Sequence, residues 1–317
     1  MKIPIGITAR NEAATILGLI ASLRVSVARA TAALGVEYEI HVLLNDNEDN
    51  TPALLDAQPD LFLWETHGGL VEAQRALVAA SPGVPFVIFT DADILLHPDT
   101  ITQLTAALQA DPSLQIAYAA KLPVPPKPHT PLAQALYLYN LNEGYQTTRN
   151  YCNGQCFAIR HWNIPTADEL QWDITADNNF LNLSAGIRTD DIFLSRDVLR
   201  NHGPAALQCV PAAVRYRPPE TLRGMFRKYQ RMCLEIERMH HFFPDSRQTH
   251  TRLGRRALDR SLLRQAPFSE QFYYAIFQAA LVLCKVAYSA QRLYYTHLSN
   301  EPCPTWRPVQ ETKEPLE

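Results

Sequence analysis

The run Phe86-Val87-Ile88-Phe89-Thr90-Asp91-Ala92-Asp93 sets two carboxylates one residue apart at the end of an apolar stretch. Hard divalent cations such as Mg²⁺ and Mn²⁺ take oxygen ligands of this kind and bridge them to phosphate oxygens. With 16 Asp in 317 residues, about 0.8 Asp-x-Asp pattern is expected by chance, so the place of the pair after a strand carries the reading and the spacing alone does not. A second acidic pair, Asp190-Asp191, opens the apolar segment 192–199. Two more polar clusters follow apolar runs: Thr8-Ala9-Arg10-Asn11-Glu12 after residues 3–7, and Asn45-Asp46-Asn47-Glu48-Asp49 after residues 38–44.

The elements that must position these groups alternate in period. The run 3–7 reads as a strand, and Ile16, Leu19, Ile20, Leu23 and Val27 recur on one helical face. The cycle repeats with a strand over 38–44, a short run at 61–64, a helix over 70–80, the strand 85–90, a helix near 100–110 and a strand over 115–119. Such βαβα alternation predicts an α/β fold with a mainly parallel sheet and helices on both faces. Ligands of such sheets bind beyond the carboxyl ends of the strands, where the polar clusters fall. Five prolines between 121 and 135 predict a break in regular structure, after which come an apolar stretch at 136–141 and a short strand at 156–159.

Taken in order, these segments resemble the family-two glycosyltransferases of the GT-A fold. The matching segments are residues 5–12, 43–51, His67-Gly68-Gly69 with the helix after it, Asp91-Ala92-Asp93, Asn153-Gly154-Gln155-Cys156 and Asp190-Asp191. The resemblance covers about residues 3–232 and implies a nucleotide-sugar donor and Mg²⁺ or Mn²⁺. It also implies inverting transfer to a hydroxyl of a sugar, a lipid-linked molecule or a small molecule. By the same resemblance Asp46 accepts from the nucleobase, with Ala9, Arg10 and Glu12 beside the nucleotide, and Arg75 meets the diphosphate or base. Asp91 serves ribose and metal, Asp93 the metal, and Asp191, with Asp190 beside it, is the catalytic base. Asn45 stands where the family usually has Asp. Of the processive members' Gln-x-x-Arg-Trp only Arg231 is kept, which predicts transfer of a single sugar.

Each group also has a structural reading: Asp91 and Asp93 as a turn or helix cap, Asp190-Asp191 as a helix start, Glu12 as a cap, Arg75 as part of a solvated helix face. A nucleotidyltransferase on a related sheet is disfavoured because Gly6 is the only glycine before Gly18. An inactive membrane-associated binding protein stays open.

The net charge of −3 argues against coating nucleic acid. Charge is nonetheless uneven. Residues 1–214 carry 12 basic and 22 acidic side chains, whereas 215–264 carry 13 and 5, a segment suited to a donor diphosphate or an anionic lipid. Six scattered cysteines without close metal or redox spacing predict reduced thiols in the cytosol, with Cys152 and Cys156 as buried filler. Residues 1–7 are too short an apolar run for a signal peptide. The stretch 272–290 is apolar apart from Gln278, Lys285 and Ser289. It predicts packing on the core or lying in a membrane surface rather than spanning. The expected organisation is a GT-A domain over 1–240 and a helical extension over 241–317, located in the cytoplasm or at the cytoplasmic face of a membrane.

Overall fold

In the chain's N-terminal third, short runs buried on both faces become strands, and longer runs with one apolar face become the helices that cover them. A computed structural model describes residues 2–145, 152–249, 258–304 and 309–316. Its strands are β1 (Ile3–Ala9), β2 (Tyr38–Asn45), β3 (Leu61–Thr66), β4 (Val87–Asp91), β5 (Ile94–Leu96), β6 (Ile116–Pro123), β7 (Cys156–Ile159) and β8 (Leu207–Tyr216). The helices over the first half are α1 (Ile16–Leu34), α2 (Thr51–Asp56), α3 (Leu70–Ala79), α4 (Thr100–Ala110) and α5 (Pro131–Leu141). They are followed by α6 (Asp190–His202), α7 (Leu222–Phe242), α8 (Ser246–Thr249), α9 (Arg260–Gln265) and α10 (Phe268–His297).

The strands form one sheet in the order β3-β2-β1-β4-β7-β6-β8-β5. The first four are mutually parallel, as the alternation predicts. Beyond β4 the pattern changes: β7 runs antiparallel between β4 and β6, and β5 pairs antiparallel with β8. The expectation of a mainly parallel α/β sheet holds, and this antiparallel insertion is what brings residues 153–156 beside the end of β4.

Helix α1 buries Ile16, Leu19, Ile20 and Leu23 against one face of the sheet. On the other face α3 comes so close to β1 that a Cβ built on Gly6 would stand 2.7 Å from Leu77 and 2.9 Å from Phe89. That position admits only hydrogen. The proline-rich stretch breaks regular structure between β6 and α5, as expected of an ordered linker. Pro123 ends β6, and Pro131 takes the first turn of α5, where its missing N–H is no loss, with the Thr130 hydroxyl accepting from Ala133 N–H at 3.1 Å.

The C-terminal part packs back onto this sheet. Arg238 of α7, 1% exposed, donates to Glu235 Oε1 at 2.6 Å and to the Leu181 carbonyl, and Glu235 Oε2 accepts from Arg188 N–H at 3.2 Å. A buried pair satisfied in this way ties the loop before α6 to α7, and thereby fixes where Asp190 and Asp191 begin. The six cysteines are free, with Cys152 and Cys156 buried.

Candidate functional site

The ends of β2, β1 and β4 lie side by side, with Ala9 paired to Leu44 and Thr8 to Asp91, so the turns that follow them start from one rim of the sheet. Two of these residues, Asn11 and Asp46, adopt left-handed backbone (φ 56° and 47°), which short polar side chains tolerate best. Side chains interlock the turns. Asn47 accepts from Asn11 N–H at 2.7 Å and donates to the Ala9 carbonyl at 3.1 Å, while Asn11 Oδ1 accepts from Glu48 N–H at 2.8 Å. Thr51 Oγ1 accepts from Glu12 N–H at 2.8 Å, and Asp49 accepts from Ala13 N–H at 3.0 Å. Much of the polar cluster at 45–51 is therefore a latch that shapes the β1 turn. Asp46 remains partly exposed and pairs with His67 Nδ1 at 2.7 Å, which raises the imidazole's proton affinity by that hydrogen bond and by charge.

Asp91 ends β4, its N–H donating to the Gln155 carbonyl at 2.8 Å, and Asp93 follows in the turn into β5. The pair Asp190-Asp191 starts α6. Asp190 is 6% exposed; it accepts from Gln74 Nε2 at 2.6 Å and from Asp191 N–H at 2.8 Å. Trp162 Nε1 donates to Gln74 Oε1 at 2.9 Å and so fixes which end of that amide faces Asp190. Asp191 is the more open of the two and accepts from Gly154 N–H at 3.3 Å. A Cβ on Gly154 would stand 3.0 Å from the Asp191 Cβ, so the absence of a side chain there lets the 153–155 backbone lie against the carboxylate. That same loop hydrogen-bonds Asp91 through Gln155.

The sequence's acidic pairs, about a hundred residues apart, are thus neighbours. Burial pushes the Asp91 carboxyl well above the ordinary range, and the charges of Asp93, Asp190 and Asp191 push it further, with Arg231 opposing. Asp93 is raised by burial against the pull of Lys313, Arg231 and Lys228. Asp190 is raised to about 7, first by burial and then by Asp191. Glu12, 8% exposed, is raised to about 7 by burial and then by Asp93, with Lys313 and Thr15 opposing.

Lys313 gave no signal in the sequence. It lies in a single turn at the far end of the chain, yet its ammonium donates to the Arg10 carbonyl at 2.5 Å, the Asn11 carbonyl at 3.3 Å and Glu12 Oε1 at 2.5 Å. A cation of the protein's own thus sits among the carboxylates. The Arg217 side chain extends this anchoring, its Nη2 donating to the Pro315 carbonyl at 3.2 Å.

Arg75, expected at the diphosphate or base, makes its contacts in this structure with protein groups. One position along α3 from Gln74 is a 100° turn of the helix. Its guanidinium pairs with Glu72 at 3.0 Å, donates to the Ile164 carbonyl at 2.8 Å and lies 5.2 Å over the Trp162 ring. It holds the 162–164 segment in place. Ala9 is buried and offers its backbone alone, while Arg10 is exposed on the rim.

Crowded carboxylates that titrate upward give a pH signature. In the unfolded chain such groups lose their protons near 4, whereas Glu12 and Asp190 hold theirs until about 7 when folded. Between those values the folded state binds more protons. Their contribution to stability is therefore full below about 4 and is lost as pH rises through about 7. For the metal-free protein, scanning calorimetry from about pH 5 to 7.5 is expected to show a falling Tm, and Glu12→Gln is expected to flatten the fall. An unchanged slope in that variant would remove Glu12 from the explanation.

Two carboxylates at a strand end, with no third protein ligand grouped around them among the described residues, fit an ion such as Mg²⁺ or Mn²⁺, which leaves several positions to phosphate and water.

Residues 5–163, half of the chain, match the sequence profile described as glycosyl transferase family 2. No curated protein sequence matches the chain. Among solved structures, glucosyl-3-phosphoglycerate synthase from Mycobacterium tuberculosis, in complex with Mn²⁺, UDP-glucose and phosphoglyceric acid, is 18% identical. The match covers 75% of this chain and 79% of that one, with a TM-score of 0.48. A mannosyltransferase from Pyrobaculum calidifontis in complex with GDP-Man and Mn²⁺ is 15% identical over 92% of this chain and 80% of that one, with a TM-score of 0.49. S. aureus TarS 1-349 in complex with UDP-GlcNAc is 13% identical over 86% and 78%, with a TM-score of 0.40. The profile match favours this family over the nucleotidyltransferase alternative, and the chain belongs to glycosyltransferase family 2.

Proposed function

We propose that this glycosyltransferase moves one sugar from a nucleoside-diphosphate sugar to an acceptor hydroxyl with inversion at the anomeric carbon. The observation that carries the reading is that Asp93, Asp190 and Asp191 lie close enough for their charges to act on Asp91. Asp46, at the neighbouring strand end, is free enough to accept from a nucleobase N–H, and Arg10 flanks it. Asp91 and Asp93 would hold Mg²⁺ or Mn²⁺, which supplies charge neutralisation for the departing diphosphate. Lys228 and Arg231, whose charges act on Asp93, add positive potential on the same side.

Asp191 takes the proton from the acceptor hydroxyl as that oxygen attacks the anomeric carbon from the face opposite the diphosphate. The new C–O bond forms as the bond to the diphosphate oxygen breaks, and its electron pair leaves with the nucleotide. Asp190 is a positioning residue: its two hydrogen bonds set the start of α6 and thereby the direction of Asp191. A single transfer fits better than polymer synthesis, because Met232 stands where the processive motif has Trp.

Thermal shift with UDP, GDP and dTDP tests the donor side, since a ligand that binds only the folded state raises Tm. At least one of the three is expected to raise Tm in Mn²⁺ and to lose most of that effect in EDTA. No shift with any of them, or an equal shift in EDTA, overturns the metal-assisted reading.

A further inference from the structure

Helix α10 runs for 30 residues, about 45 Å at 1.5 Å per residue, and it is apolar on two opposite faces. The inner face is accounted for. Phe277, Ala280, Cys284 and Tyr288 are buried, Phe277 stacks on Tyr139 of α5 at 3.6 Å, and Tyr288 donates to Glu237 of α7 at 2.9 Å. On the outer face Phe268, Phe272, Val282, Val286 and Leu293 are between 55% and 85% exposed, and exposed Ala275 and Ala279 complete a stripe at spacings of three and four. A helix on the surface of a water-soluble domain turns charged and polar residues outward. This one turns outward an apolar band some seven turns long, the kind of surface that marks a contact.

Charge selects the contact. From Arg260 to Leu298 the ionised side chains are Arg260, Arg264, Lys285, Arg292 and a single acid, Glu270. Glu270 turns inward and accepts from Tyr145 Oη at 2.5 Å and Asn142 Nδ2 at 2.9 Å. On and just before the helix the outward charges beside the stripe are therefore the cations Arg264 and Lys285, with the acids Asp259 and Glu301 lying beyond its two ends. A second copy of α10 would bring cations against cations, whereas an anionic lipid surface complements them. Spanning a bilayer would strip Tyr288 and Arg292 from Glu237, to which both are bound.

We infer that the outer face of α10 docks this protein on an anionic membrane surface, with the helix lying in the plane of the headgroups. The inner face stays on α5 and α7 while the stripe enters the acyl boundary. This surface uses none of the clustered carboxylates and stands or falls independently of the reaction proposed for them.

Co-sedimentation of the full chain with vesicles tests it. Vesicles of phosphatidylcholine with roughly one-third phosphatidylglycerol are expected to carry down the protein, and phosphatidylcholine alone to carry down little. Lys285→Ala is expected to weaken binding by about fivefold, and high salt to weaken it further. Phe272→Glu combined with Val286→Glu is expected to abolish binding while Tm stays within about a degree, since both side chains are exposed. Binding that survives the double substitution overturns the inference. So does equal binding to both vesicles, or a lipid-free dimer in light scattering that the double substitution dissolves, which would make the stripe an interface between copies.

Discussion

Asp191→Asn is expected to cut transfer by about 10²–10⁴-fold, the contribution of a positioned general base, while leaving nucleotide-induced thermal shifts and Tm nearly unchanged. The substitution preserves shape, and the amide oxygen can still accept from Gly154 N–H as the carboxylate does at 3.3 Å. What the amide cannot do is take a proton from the acceptor. Asp190→Asn separates chemistry from scaffolding. Asp190 uses both oxygens as acceptors, one from Gln74 and one from Asp191 N–H. Trp162 prevents Gln74 from simply reversing its amide. Asparagine there leaves two donors face to face in a buried place, at a cost of about 1–3 kcal/mol. The 190 variant should therefore lose Tm and the 191 variant should lose turnover. Steady-state kinetics on a responsive donor, with calorimetry on the same samples, separates them. Near-normal turnover in Asp191→Asn removes it from the role of base, and a product that retains the donor's anomeric configuration removes the single displacement.

The parts of the site that a reader of the sequence can locate are those fixed by a strand end. Asp91 and Asp93 follow a run buried on both faces, and Asp190 and Asp191 precede a helical period, so local pattern places each pair at the boundary of an element. Local pattern does not say that the pairs meet. That depends on β7 entering antiparallel beside β4 and on Glu235 and Arg238 holding the loop before α6, contacts spanning tens of residues. The cluster at 45–51 reads as ligand chemistry because Asn and Asp serve both ligands and tight turns. In the fold Asn47, Asp49 and Thr51 spend their hydrogen bonds on the β1 turn, and Asp46 is left outward. Arg75 and Gln74 are adjacent letters on different sides of α3, a distinction that needs to know which face of the helix meets α6. Lys313 lies about three hundred residues from Glu12 in sequence and beside it in space. No period or motif could join them. The second apolar face of α10 is hidden for a related reason: composition reports that a segment is apolar, and only packing shows which of its faces is already covered.

Asp93→Asn is expected to do two opposite things. Transfer should fall by about 10³-fold, because an amide binds a hard divalent cation far more weakly than a carboxylate and the several kcal/mol of charge stabilisation on the leaving diphosphate is lost with it. Thermal stability without metal should rise at neutral pH. Burial raises the proton affinity of Asp93, and its charge in turn raises Asp91 and Glu12, so ionising it works against the fold, and removing the charge relieves the crowd. The gain is partial, since Lys313, Arg231 and Lys228 lose an attractive neighbour. On the proposed reading the two effects have one origin: carboxylates crowded together disfavour their charged forms until a bound cation offsets them, which is how a binding site trades stability for function. The decisive measurement is Tm with and without Mn²⁺ in both proteins at pH 7.5. The wild type should gain on adding the ion, and the variant should start higher and gain little. A variant that starts lower, or that still gains as much from Mn²⁺, would mean that Asp93 serves the fold as a turn residue and that any metal is held elsewhere.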